Sequence, residues 1–183
     1  MQRLFKTQKI TARLYMVMAA VVFAFTLVFM TEYKDLFGLK LKQNSQISFF
    51  HDSVLQTFNR QIFLLALIGI FIVLFSFFLE IFSKVPDKFA LIIMEVLLLG
   101  CCAGAAYALT NIQAVEAFYK TLDFQHLELE GLIEYSPHFT TFRVGTGVYL
   151  LQIIICMIYG GTIAMSHITY VKSEKKRCVE NGR

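Results

Sequence analysis

Glu95 is the residue with the greatest chemical reach in this sequence, because it is the one acid in the apolar run from Lys88 to Leu109. Seven residues into a helix, it would sit roughly 10 Å below a membrane surface. A carboxyl group at that depth costs roughly 3 kcal/mol unless it is protonated, paired or beside water. Two kinds of chemistry follow. One is an intramembrane proton or cation site. The other is a structural hydrogen bond between helices, with Gln152 in the last apolar run as its expected partner. Glu80 stands near the end of its own run and is read as reaching the polar edge.

The remaining reactive residue types argue against catalysis. Cys101, Cys102 and Cys156 fall inside apolar runs and Cys178 in a basic tail, so neither a disulfide framework nor zinc spacing is present. A four-span thiol oxidoreductase needs exposed reactive pairs, which these positions do not supply. His51, His126, His138 and His167 avoid the middle of every run, so neither haem ligation nor another metal site is expected. HExxH, GxSxG and glycine-rich phosphate motifs are missing. The expectation is a non-enzymatic protein with no catalytic residue and no cofactor.

The elements that must position Glu95 and Gln152 are apolar runs. Ile62 to Phe82 is 21 residues with a single charge, Glu80. At about 1.5 Å per residue it matches a hydrocarbon core of roughly 30 Å. Lipid offers no partner for backbone N–H and C=O groups, so the run must be helical. Similar runs cover about 14–30, 88–109 and 144–165. The chain is 57% hydrophobic, and four spans with their loops use up its 183 residues, leaving no room for a separate soluble domain. The predicted architecture is an all-α, four-helix transmembrane bundle forming one domain. Residues 83–87, with Pro86, make the second and third spans antiparallel neighbours.

Gly100-x-x-x-Gly104 and the pair Gly160-Gly161 are candidate close-packing positions, inside the bundle or against a partner chain. Eleven of the Lys and Arg residues lie in the N-terminal arm, the short connection with Lys88, and the tail; six lie in or at the edge of the longer loops 31–61 and 110–142. The positive-inside rule then places both termini in the cytoplasm, with a bacterial inner membrane as the default host. Basic ends suit anionic lipid headgroups rather than nucleic acid. Residues 1–13, which include Arg3, Lys6, Lys9 and Arg13 and no acid, read as a basic arm on the membrane surface.

The loops carry alternating stretches, Leu39-Lys40-Leu41-Lys42 and Leu127-Glu128-Leu129-Glu130. Paired side by side, Lys40 and Lys42 would face Glu128 and Glu130 in a small outside β ribbon. Residues 47–58 read as an amphipathic segment lying on the interface. The two hairpins also echo one another: Tyr33-Lys34-x-Leu36 with Tyr119-Lys120-x-Leu122, and Thr57-Phe58-x-Arg60 with Thr141-Phe142-Arg143. This suggests an internal repeat about an axis along the membrane normal.

The stretch ISFFHDSVLQTFNRQIFLLALIGIFIVLFSFFLEIF, residues 47–82, resembles the loop-to-second-span segment of the paraquat-inducible protein A family, and residues 131–165 are loosely similar to the last span of such a unit. The resemblance implies a membrane component of lipid trafficking. The zinc-ribbon cysteines of that family's soluble part do not occur here, and no functional residue carries over. Three functions are therefore expected, in this order: an accessory subunit of a larger transport-type membrane complex, a component of lipid movement between membranes, and a small proton-coupled transporter using Glu95. Membrane lipids are expected partners, with other membrane subunits or a second copy of the chain.

Overall fold

The computed structural model describes residues 2–30, 49–82, 88–122 and 139–181. Helix α1 covers Gln2–Met30. A π-helical turn, Phe50–Leu55, leads into α2, Gln56–Phe82. Helices α3, Lys88–Lys120, and α4, Thr140–Asn181, complete the bundle. The described residues are helical almost throughout and contain no strand. Each of the four helices is long and apolar enough to cross a membrane, with candidate spans Lys6–Leu27, Asp52–Ser76, Lys88–Lys120 and Thr140–Ser173. The chain is a multi-pass membrane protein.

Buried positions recur every three and then four residues. In α3 they are Leu91, Met94, Leu98, Ala105, Ala108, Ile112, Val115 and Tyr119. In α4 they include Phe142, Tyr149, Gln152, Cys156, Tyr159 and Ile163. This spacing keeps one seam of each helix facing its neighbours. Large side chains such as Phe71, Phe89 and Leu99 point outward, while Thr11, Thr26, Asn59, Ser76 and Gln152 are buried. Lipid is as apolar as leucine, so burial of apolar area does not decide which face turns inward; close packing and interhelical hydrogen bonds do. Helices α3 and α4 share the largest interface, α1 packs on both α4 and α2, and the α2–α3 interface is the smallest of these four.

The helices outrun the predicted spans. Helix α1 starts at Gln2, so the predicted basic arm is its first turns; α3 continues to Lys120, and α4 runs from Thr140 to Asn181. Hydropathy fades at Thr110 because polar residues enter, but Ile112, Val115 and Tyr119 keep the inner seam and the helix continues. The predicted interfacial segment is, from residue 49 onward, the π-turn and the start of α2, with Phe50 and Phe58 buried. The ribbon residues Lys40, Lys42, Glu128 and Glu130 lie outside the described residues.

Opposite the termini, an aromatic cluster ties the π-turn to α3 and α4. Tyr119 is fully buried and touches Phe50, Phe139 and Phe142 with ring centroids 5.4–5.5 Å apart. Phe118 stacks on Phe50 at 5.9 Å. The end of α3 tightens, with the amides of Thr121 and Leu122 donating to the carbonyls of Phe118 and Tyr119. Lys120 pairs with Glu116 at 2.7 Å and lies over the Phe139 ring.

Candidate functional site

Two polar regions lie within the bundle, one toward the termini and one at mid-depth. In the first, Glu95 Oε1 of α3 lies 3.4 Å from His167 Nδ1 of α4, with both side chains about a quarter exposed. The contact is ionic only when the imidazole is protonated. Glu95 is seven residues from the start of the α3 span and His167 six from the end of the α4 span, so antiparallel packing brings both to roughly 10 Å depth. Beside them a line of hydroxyls joins α1 to α4. Ser166 Oγ donates to Gln8 Oε1 at 3.0 Å, and the Thr11 and Thr162 hydroxyls meet at 3.1 Å. Such interhelical bonds contribute roughly 0.6 kcal/mol each.

The pairing of Glu95 with Gln152 is corrected by this geometry. Gln152 lies fifteen residues before His167 on α4, near mid-span, whereas Glu95 is close to the terminal end of α3. Sequence reading missed His167 and the hydroxyl line because it put residues 8–11 and 166–167 outside the spans. The available signals were the helical spacings of Gln8 with Thr11 and of Thr162 with Ser166.

The second region is a cleft of about 220 Å³ between α2 and α3. Its walls include Leu65, Gly69, Gly100 and Ala105, and its floor is formed by Ala19 and Val22 of α1 with Tyr149 and Gln152 of α4. Half-exposed Ile68 and Val96 rim a mouth that opens sideways, where lipid would lie. Toward the loop end the α2–α3 seam is bridged by Tyr107, whose hydroxyl donates to Gln61 Oε1 at 3.0 Å. Toward the termini it is bridged by Ser76, whose hydroxyl points to Met94 Sδ at 3.6 Å.

Small residues create the cleft. At Gly104, a Cβ would press on Leu65 at 3.1 Å, so this glycine permits the α2–α3 contact. At Gly100, a Cβ would meet nothing within 4 Å, because it opens into the cleft. The two glycines of the motif therefore do different work. Gly160 and Gly161 likewise have open space beside them. Cys101 and Cys156 serve as polar acceptors: Tyr15 Oη donates to Cys101 Sγ at 3.2 Å, and Gln152 Nε2 to Cys156 Sγ at 3.6 Å.

Gln152 and Tyr149 are 5% and 3% exposed, and Gln152 Oε1 and Tyr149 Oη have no hydrogen-bond partner among the described residues. Asn59 Oδ1 is the third such atom, but Asn59 does not line the cleft. An unmet buried polar atom costs about 1–3 kcal/mol, and two of them on successive turns of one helix face are a concentrated cost. Among the described residues no group of three metal-ligating side chains converges. No protein-family model, curated protein or solved structure matches the chain.

Proposed function

We propose that this chain is a non-enzymatic membrane component that admits a lipophile from the bilayer into the α2–α3 cleft, within a larger transport-type assembly. The observation that carries the reading is the cleft itself, apolar at its walls, open sideways, and lined at its floor by Tyr149 and Gln152. Ligand sites are typically concave and apolar with a few convergent polar groups. Movement of lipids between membranes, which the family resemblance implies, is the process that best fits. The outer face of α4 supports an assembly: Gly147, Ile154, Gly161 and Ile168 recur at seven-residue intervals, and both glycines have open space beside them. Both termini in the cytoplasm of a bacterial inner membrane, and a charge-paired ribbon of Lys40, Lys42, Glu128 and Glu130 over the far end, complete the proposal.

Gly100→Leu tests it. A Cβ at this position meets nothing within 4 Å, so the new side chain starts from open space in the lining of the cleft. Lipophile co-purifying with the protein, quantified by mass spectrometry, is expected to fall roughly ten-fold or more, as for loss of one good contact set. The melting temperature after delipidation is expected to stay unchanged. Undiminished lipophile would count against the cleft. Identification of chains co-purifying in mild detergent separates a subunit from a self-contained carrier.

A second reading, a proton-coupled transporter, is favoured by Glu95 and His167 meeting inside the span. Glu95→Gln keeps the size and hydrogen-bonding capacity of the side chain. We expect it to change stability by no more than about 1 kcal/mol, since an interhelical hydrogen bond within a membrane contributes roughly 0.6 kcal/mol. Uptake into liposomes under a pH gradient decides the matter: abolition by Glu95→Gln would favour the transporter, and survival would leave Glu95 as a packing partner.

A further inference from the structure

If the cleft is the binding site proposed above, its length and its two ends narrow the occupant. The lining runs from Ile62 to Ile72 on α2 and from Val96 to Ala105 on α3. Ten helical residues rise about 15 Å, half of a hydrocarbon core of roughly 30 Å and so the depth of one leaflet. The long axis of the cleft follows helices that cross the membrane, as the tails of neighbouring lipids do. An acyl tail therefore enters sideways, past Ile68 and Val96, without turning. A cavity of about 150 Å³ takes the six carbons of benzene, so 220 Å³ takes on the order of nine, enough for part of one tail. No charged residue lines the cleft, so a polar head must lie at one of its ends.

The two ends differ. Toward the termini the seam is closed by Ser76 and Met94, which are 7% and 3% exposed. The Ser76 hydroxyl is committed to the Ile72 carbonyl and to Met94, so this end is blind. Toward the loops the seam ends in exposed polar groups. Gln61 precedes Leu65 and Ile68 by four and seven residues, and Tyr107 follows Gly104 and Gly100 by three and seven. Both therefore stand on the cleft faces of their helices. Their exposed hydrogen bond of 3.0 Å uses Gln61 Oε1 and leaves the Nε2 N–H groups as donors. Arg60 is exposed beside them. The nearest acids along the two helices are Asp52, eight residues from Arg60, and Glu116, nine from Tyr107 and paired with Lys120. The apolar runs begin at Ile62 and end at Leu109, so Arg60, Gln61 and Tyr107 stand where hydrocarbon gives way to head groups. A phosphate there only accepts hydrogen bonds, and Arg60 and Gln61 Nε2 only donate them.

We propose that the cleft holds one acyl tail of a bilayer phospholipid, with the tail end toward Ser76 and Met94 and the phosphate held by Arg60 and Gln61 on the loop side.

The test uses the full chain in lipid nanodiscs, with labelled peptides located by mass spectrometry. The probes are a phospholipid with a photoreactive diazirine at the end of one tail, a phospholipid with the diazirine in its head group, and a diacylglycerol with the tail-end diazirine. The tail-end phospholipid is expected to label residues 69–72 and 96–100, and the head-group probe residues 57–61 and 107–111. The diacylglycerol, which lacks the phosphate, is expected to label the cleft roughly five-fold less, the ratio for one basic residue at a charged membrane surface. Arg60→Gln should bring phospholipid labelling down to the diacylglycerol level. It should leave diacylglycerol labelling and the melting temperature unchanged, because Arg60 is exposed. Cleft labelling that is equal for the two lipids and insensitive to Arg60→Gln overturns the phosphate assignment and leaves the cleft as a general lipophile site. Head-group labelling at Ser76 and Met94 overturns the orientation. Absence of cleft labelling by every probe overturns the binding site itself.

Discussion

Tyr119→Ala is expected to lower the melting temperature in detergent by on the order of 10 °C. Tyr119 is wholly buried, and its ring touches Phe50, Phe139 and Phe142 at once. It is therefore the shared contact of the π-turn, α3 and the start of α4. Truncating a buried aromatic removes its contacts and leaves a cavity, at about 3–5 kcal/mol in well-packed cores. Two features make collapse into the gap difficult. The cluster closes one end of the bundle, and Phe50 is already held on its other side by Phe118. Tyr119→Phe keeps the ring and should retain most of the stability. Thermal denaturation followed by fluorescence size-exclusion reads both variants. A loss of only one or two degrees in the alanine variant would show that the aromatic cluster does not hold the helix ends.

Gly145→Val should be the second most damaging change, at about 1–3 kcal/mol or more. Gly145 is buried, with Ile112 of α3 and Phe25 of α1 beside it. A Cβ added there would collide with Ile112 Cδ1 and with Phe25 Cζ. The Phe25 ring has little room to yield, because it packs edge-on against Tyr149 at 5.8 Å and 88°. Two residues along the same helix, Gly147 has open space beside it, so Gly147→Val is the control and should leave the melting temperature near that of the parent. Ile112→Val removes the Cδ1 atom that the valine would strike. Combined with Gly145→Val it should recover part of the loss, and the coupling between the two changes measures the collision directly. Strictly additive losses would place the damage elsewhere.

Gly145 shows where sequence reading stops. Gly100, Gly104, Gly160 and Gly161 belong to clusters of small residues, yet among the described residues the glycine with least room beside it lies outside those clusters, between Val144 and Thr146. No pattern marks it. The need for a hydrogen atom at that position arises from Phe25 and Ile112, which are far away in the chain and converge only after folding. The GCCAGAA stretch was legible as a packing region. That it opens a cleft at Gly100 while closing a contact at Gly104 depends on where Leu65 of α2 arrives.

The amino-acid sequence alone determined four membrane-crossing helices, their approximate centres, and Glu95 as an acid inside one of them. Those properties depend on local hydropathy and length, because a lipid core forces any sufficiently long apolar run to satisfy its backbone internally as a helix. Helix ends were less legible, because hydropathy falls at Thr110 while the inner seam continues through Ile112, Val115 and Tyr119. Only the tertiary structure decided that Glu95 meets His167 rather than Gln152, and that Gln152 and Tyr149 floor a cleft. The physical reason is the solvent. In water, polarity tells a helix which face turns inward. In lipid both faces of α2 are apolar, so shape and a few hydrogen bonds choose, and those belong to pairs of helices rather than to any one stretch of sequence.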